Sequence, residues 1–143
     1  MFMPTKYKTI IHEWFEEVWN QGDAAAIDRL LGADTIVHGI VGKNGAVVRG
    51  PEGFKAFHSD FLNAFPDITV EVIDTVVEGD KMAARCLVSG THSGNGLGFE
   101  PTGKKVEFTG MCIACVQNGK IVEAWNNFDF LTLYQQLDSL KLI

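Results

Sequence analysis

Two adjacent residues, Asn118 and Gly119, constrain the fold of this chain more than any others. Both tolerate positive φ, and an Asn-Gly pair between two apolar runs is a strong hairpin signal. The flanking runs, Lys104 to Val116 and Lys120 to about Phe128, are therefore read as antiparallel strands. Along the second strand, strict alternation puts Ile121, Glu123, Trp125, Asn127 and Asp129 on one side. It puts Val122, Ala124, Asn126 and Phe128 on the other. The first set mixes a large aromatic, an amide and a carboxylate, which suits a strand lining a pocket. Asp129 has two readings: it caps a helix that begins near Leu131, or it is a catalytic acid.

Upstream the pattern changes from period two to helical spacing. Tyr7, Ile10, Ile11, Trp14, Phe15 and Val18 form one apolar stripe over Lys6 to Trp19, entered at Pro4-Thr5. Gly22 is the expected residue after that helix, and Asp23 the cap of a second helix, Ala24 to Leu31. Thr35 to Gly39 reads as a short strand. Val41 to Arg49, with Gly42, Asn44 and Gly45, reads as a hairpin-like excursion or a mobile loop. Gly50-Pro51-Glu52-Gly53 opens a third helix with an aromatic face of Phe54, Phe57, Phe61 and Phe65, which Pro66-Asp67 stops. Strands then follow at Ile68 to Val77 and Met82 to His92, with a glycine-rich loop at Ser93 to Gly103. A short terminal helix spans Leu131 to Leu137. Helices first and a four-strand antiparallel meander last imply one α+β domain over residues 1–143, with helices on one face of the sheet. A twisted sheet of that size curls and leaves a hollow where a small molecule binds.

Composition narrows the function. The chain has 143 residues, 21% charged, and a net charge of −6 with no Lys/Arg cluster, which argues against nucleic acid as a partner. Cys112 and Cys115 have C-x-x-C spacing, but on a strand they face opposite ways, so they are read with Cys86 as core thiols. An odd count without a disulfide framework fits a reducing cytoplasm. Residues 1–6 do not resemble a signal peptide, and no apolar run is long enough for a bilayer, so no membrane partner is expected.

Few polar residues interrupt the apolar segments. His38 and His92 end strands, Arg85 breaks an apolar run, and Asn127 and Asp129 end the last strand. Each histidine is either structural or part of a pocket. Arg85 either faces solvent or reaches into the hollow. His12 and His58, among polar helical neighbours, are read as surface residues. If the sheet curls, the strand ends converge at one mouth. An Asp in an apolar hollow would have its pKa raised toward useful values, and a neighbouring His could share its proton. That chemistry suits proton transfer beside a carbonyl. No nucleophile elbow, phosphate loop or metal cluster is present.

Several pieces of the chain appear in order over Tyr7 to Leu137. They are Val18-Trp19-Asn20-Gln21-Gly22-Asp23, Gly50-Pro51-Glu52-Gly53-Phe54, Ala64-Phe65-Pro66-Asp67, Gly90-Thr91-His92-Ser93-Gly94, Pro101-Thr102-Gly103-Lys104 and Gly119 to Asp129. With them the chain resembles the SnoaL-like polyketide cyclase family of the nuclear-transport-factor-2-like superfamily. The resemblance implies a cone-shaped barrel, a curved antiparallel sheet wrapping N-terminal helices around an internal pocket, often dimeric through the outer face of the sheet. It implies a cofactor-free intramolecular aldol ring closure with an aspartate as acid/base. That role falls on Asp129 of the Trp-x-x-x-Asp ending, with His92 of the Thr-His-x-Gly motif and His38 of the early strand beside it.

Three functions follow. One is a cofactor-free enzyme on a hydrophobic carbonyl compound. In it Asp129 is the acid/base, His38 and His92 orient, and Trp19, Phe61, Arg85, Trp125 and Asn127 bind the substrate. The second is a non-catalytic pocket for a small hydrophobic molecule. The third is epoxide hydrolysis, which needs two acids around an arginine. Arg85 and Asp129 supply part of it, but the candidate second acids, Glu71 and Asp74, face opposite ways under strict alternation.

Overall fold

The computed structural model describes residues 9–42 and 45–138. The expected helix entry at Pro4-Thr5, the stripe residue Tyr7 and Asn44 lie outside them. Helix α1 (Ile10–Glu13) starts at Thr9, whose hydroxyl accepts from the Ile11 N–H at 3.2 Å. His12 returns the bond, accepting from the Thr9 N–H at 3.0 Å, so it belongs to a capping box. The helix continues as a π-helical stretch, Trp14–Asn20, with the Gln21 N–H on the Glu16 carbonyl. This i→i+5 register brings Trp14 and Trp19 onto the same side. Asp23 caps α2 (Ala24–Leu30) through the Ala25 N–H, as expected.

Strand β1 (Leu31–Val41) is longer than predicted, and β2 (Val47–Arg49) folds back on it. Helix α3 (Gly50–Ala64) precedes β3 (Thr69–Glu78), β4 (Lys81–Thr91), β5 (Lys105–Gln117) and β6 (Lys120–Phe128), and α4 (Phe130–Gln136) follows. The β5–β6 turn has Asn118 and Gly119 at φ 52° and 76°, the conformation that favours this pair.

The sheet order is β2-β1-β6-β5-β4-β3. The α+β class stands, but the wholly antiparallel sheet does not. β1 pairs parallel with β6, so the six-stranded sheet is mixed, curved and unclosed. Residues 42–119, which separate the two strands in sequence, supply the long crossover that a parallel pair needs. The Thr35 hydroxyl, fully buried, donates to the Ile121 carbonyl at 2.6 Å and fixes this seam.

Two bulges decide which residues face inward. In β6, Ile121 pairs with Val116 but Glu123 pairs with Cys115, so Val122 is an extra residue. In β3, Val72 pairs with Cys86 but Asp74 pairs with Arg85, so Ile73 is extra. Each insertion bends the sheet and flips the alternation beyond it. The concave face packs on α1, the π-helical stretch and α3. Its core includes Phe15, Val18, Phe54, Phe61, Phe65 and Phe108, each under 8% exposed. Two amide side chains act as surrogate strand partners. Asn20 exchanges two hydrogen bonds with Val70 at the β3 edge, and Gln136 does so with Glu107, beyond the end of β6.

Candidate functional site

Inside the curl lies a hollow whose walls are almost wholly apolar. The helical side supplies Trp14, Phe15, Trp19, Phe54, Phe57 and Phe61. The sheet supplies Ile40, Val70, Val88, Phe108, Asn126 and Phe128, the segment leading into β3 supplies Ile68, and α4 supplies Phe130. Nine of these fourteen residues are aromatic, four are aliphatic, and one, Asn126, is polar. Among the described lining residues none titrates. The free volume is about 60 Å³, room for about two water molecules. The rings pack edge-on or tilted: Phe61 lies 6.2 Å from Trp19, 5.1 Å from Phe57 and 6.0 Å from Phe130, between centroids. The Asn126 side-chain N–H donates to the His38 carbonyl at 3.0 Å, which holds the amide across the β1–β6 seam.

The predicted site residues divide among four places. Trp19 and Phe61 line the hollow. Arg85, Asn127 and Asp129 come together with Thr109, Met111 and Phe128 in a second depression on the outer side of the sheet. His38 and Trp125 stack at 5.5 Å on the outer face, where Glu123 accepts from His38 Nε2 at 2.7 Å. His92 lies fully buried at the base of the Ser93–Gly103 loop, beside Phe65 and Phe99.

The expected convergence of polar strand ends in one hollow therefore does not occur. The Val122 bulge is the reason. Ile121 is buried, but beyond the bulge Glu123, Trp125 and Asn127 turn outward, while Ala124, Asn126 and Phe128 turn inward. Asn126 was legible as the residue opposite Trp125, and only the parity concealed it.

The electrostatics differ from expectation as well. Asp129 caps α4: its carboxylate accepts from the Thr132 hydroxyl at 2.6 Å and the Thr132 N–H at 3.0 Å. These bonds hold its pKa below the usual carboxylate value, where an apolar hollow would have raised it. Arg85 is held by Asp74 through two hydrogen bonds of 3.0 and 3.2 Å. The Ile73 bulge puts both Glu71 and Asp74 outward, so Asp74 is the second acid near Arg85, in contact with solvent.

His58, expected at the surface, is 3% exposed. Its Nε2–H donates to the Val18 carbonyl at 2.6 Å beneath Trp19 and Phe54, and burial holds its pKa down. Cys86 and Cys112 point inward and burial pushes them up to about 12 and about 11. Cys115 faces outward and donates to Asp80. Among the described residues, no three His, Cys, Asp or Glu side chains converge as metal ligands would, and no helix is long and apolar enough to cross a membrane.

Solved structures share this architecture. TsrD of Streptomyces laurentii is 27% identical with a TM-score of 0.80, over 98% of this chain and 100% of TsrD. IdmH of Streptomyces antibioticus, proposed to be a polyketide cyclase, is 32% identical with a TM-score of 0.76, over 90% of this chain and 96% of IdmH. AclR of Streptomyces galilaeus, proposed to be a hydroxylase, is 27% identical with a TM-score of 0.75, over 90% of this chain and 79% of AclR. No curated protein matches the chain at a significant level. Residues 9–137 match the sequence profile of SnoaL-like polyketide cyclases, nearly the whole length of the fold described above. The chain belongs to the SnoaL-like polyketide cyclase family.

Proposed function

We propose that this protein holds a small, uncharged, hydrophobic carbonyl compound in the aromatic hollow, with Asn126 as its one polar contact. The observation that carries this reading is the lining: nine aromatic residues, four aliphatic residues, one amide and no titratable group among the described residues. A charged ligand would lose its hydration there with no counter-charge to replace it. A ligand larger than the present free space needs the rings to part. Phe57, Phe128 and Phe130 are the half-buried rings of the wall, and they have the most freedom to move outward. A neutral aromatic ketone, titrated against Trp14 and Trp19 fluorescence, tests the reading. Saturable quenching that Phe61→Ala weakens supports it. Quenching that never saturates, or that ignores Phe61→Ala, overturns it.

A second reading is ring closure by acid/base chemistry. It draws support from the family and from IdmH, itself proposed to be a polyketide cyclase. It also draws on the position of Asp129, between two residues that line the hollow, Phe128 and Phe130. Asp129 would have to leave Thr132 to act. Unchanged turnover by Asp129→Asn on an authentic substrate would sink that role. Epoxide hydrolysis has the weakest support, because Arg85, Asp74 and Asp129 meet solvent outside the hollow.

The same reading includes a homodimer. The outer sheet face carries an apolar row, Val76, Ala83, Ile113 and Trp125, in register across β3 to β6. Val76 is 70% exposed and Ile113 44%. A second copy supplies the self-complementary cover that such a face needs.

A further inference from the structure

His92 poses a problem that the ligand site does not solve. Its side chain is fully buried, and its Nε2 has no hydrogen-bond partner. An unpaired buried donor is costly, and its retention calls for a reason. The other ring nitrogen explains it. Nδ1 accepts the Thr102 N–H at 3.1 Å and lies 3.0 Å from the Thr102 hydroxyl, which itself accepts the Lys104 N–H. With Nδ1 as acceptor, the proton of the neutral ring must sit on Nε2, among the rings of Phe65 and Phe99.

This imidazole closes the base of the Ser93–Gly103 loop. The His92 N–H donates to the Lys104 carbonyl at 2.9 Å, and the Gly103 N–H donates to the His92 carbonyl at 2.8 Å. The far arm of the loop is seated on α3. The Gly94 N–H donates to the Ala64 carbonyl, and a Cβ at Gly94 or Gly96 would strike the Asn63 or Asp60 carbonyl at 1.9 or 2.1 Å.

We propose that His92 is a pH-operated catch on this loop, closed while the imidazole is neutral and released when it takes up a second proton. Protonation fills Nδ1, which can then no longer accept from Thr102. It also places a charge between two aromatic rings, with no carboxylate among the described contacts of the ring to meet it. The groups facing His92 are Phe65 at the end of α3 and Phe99 and Thr102 in the loop, and none of them titrates. Of the charged side chains flanking these segments, Asp67 accepts from the Thr91 N–H, Lys104 pairs with Asp138, and Glu100, next to Phe99, is exposed to solvent. Burial alone lowers the imidazole's pKa. The open loop, with a solvated histidine, therefore binds more protons than the closed one, and acid favours opening. Closure is complete above the ordinary histidine value and is lost as pH falls below it. Phe65 also touches Phe61, at 5.6 Å between centroids, so release loosens one wall of the hollow. That last consequence rests on the ligand reading above, whereas the catch itself does not.

Amide hydrogen exchange on the full chain tests the catch, followed at Gly94, Thr102 and Gly103 and corrected for intrinsic rates. Protection should be flat from about pH 7.5 to 6.5, then fall by up to about tenfold per pH unit toward about pH 5, the signature of one proton taken up on opening. Protection that stays flat over the whole range overturns the proposal. His92→Gln keeps an acceptor for Thr102 but cannot gain charge, so its protection should not change with pH. A slope that survives in it also overturns the proposal. His58→Gln, which removes the other buried histidine, should keep the slope, and its loss there would assign the switch to His58. Should His92→Gln fail to fold, the imidazole titration of the unaltered protein decides. The His92 resonances must move over the same pH range as the loss of protection, and a titration outside it refutes the catch.

Discussion

Strand β6 serves two surfaces that differ in everything but their backbone. Ala124, Asn126 and Phe128 face a hollow of aromatic rings with no titratable group among the described lining residues. Glu123, Trp125 and Asn127 face outward, where Glu123 bonds His38 and Asn127 shares a depression with Arg85 and Asp129. Phe128 reaches both. The difference shows how the fold sorts charge. The described acidic and basic side chains near this strand end lie on the side where water or a partner satisfies them, and the described lining of the enclosed side keeps one amide. A carboxylate moved across would carry a desolvation cost that the hollow has no group to offset. On this division, the inner surface offers shape and apolar area, and the outer one carries a helix cap and ion pairs.

The comparison breaks most visibly at Phe61. Phe61→Ala removes the ring that joins Trp19, Phe57, Phe65 and Phe130, and should cost about 3–5 kcal/mol of stability in urea unfolding. A loss near zero would mean that the hollow is not packed as described. Next is the outer face: Ile113→Glu should leave the fold intact but convert a dimer to a monomer by light scattering, because a two-fold interface meets the new charge twice. Its ligand titration should match that of the unaltered chain apart from any effect of dissociation. An effect on binding of the order expected for Phe61→Ala would erase the separation between the two faces.

Asp129→Asn probes the depression in a gentler way. The Asp129 pKa is held down by Thr132, so the carboxylate stabilises the protein above its unfolded value of about 3.9, and this is lost as pH falls through the folded value. The Tm of Asp129→Asn should lie below that of the unaltered chain near neutral pH, and the two curves should converge in acid. Ketone binding should be unchanged, and a clear loss would bring Asp129 back to the hollow. The smallest expected effect is at Asn126. Asn126→Ala should weaken a ketone by about 0.5–1.5 kcal/mol, about twofold to tenfold, and leave a hydrocarbon of the same shape unaffected.

Much of the fold was legible in the residues. The Asn118-Gly119 turn, the Asp23 cap, the aromatic face of α3 with Phe61 on it, and the long strands all follow from local chemistry. What escaped was non-local. The parallel pairing of β1 with β6 joins segments some eighty residues apart, with no turn to announce it. His58 sits among polar neighbours in sequence, yet α3 presses it against the π-helical stretch, where the Val18 carbonyl meets it. The facing of β6 and β3 was lost for one reason twice over. Val122 and Ile73 are ordinary strand residues, and nothing in their identity marks them as unpaired extras.

Those two extras leave the inner and outer chemistries of this protein one slip of register apart. Deleting Val122 would remove only the unpaired residue and leave every pair, and so every facing, as it is. Drawing Val122 into the ladder with the turn fixed would instead carry Glu123, Trp125 and Asn127 into the hollow and expel Asn126 and Phe128. One lettering thus encodes a charged interior or an aromatic one, and the residue left out of the ladder selects between them.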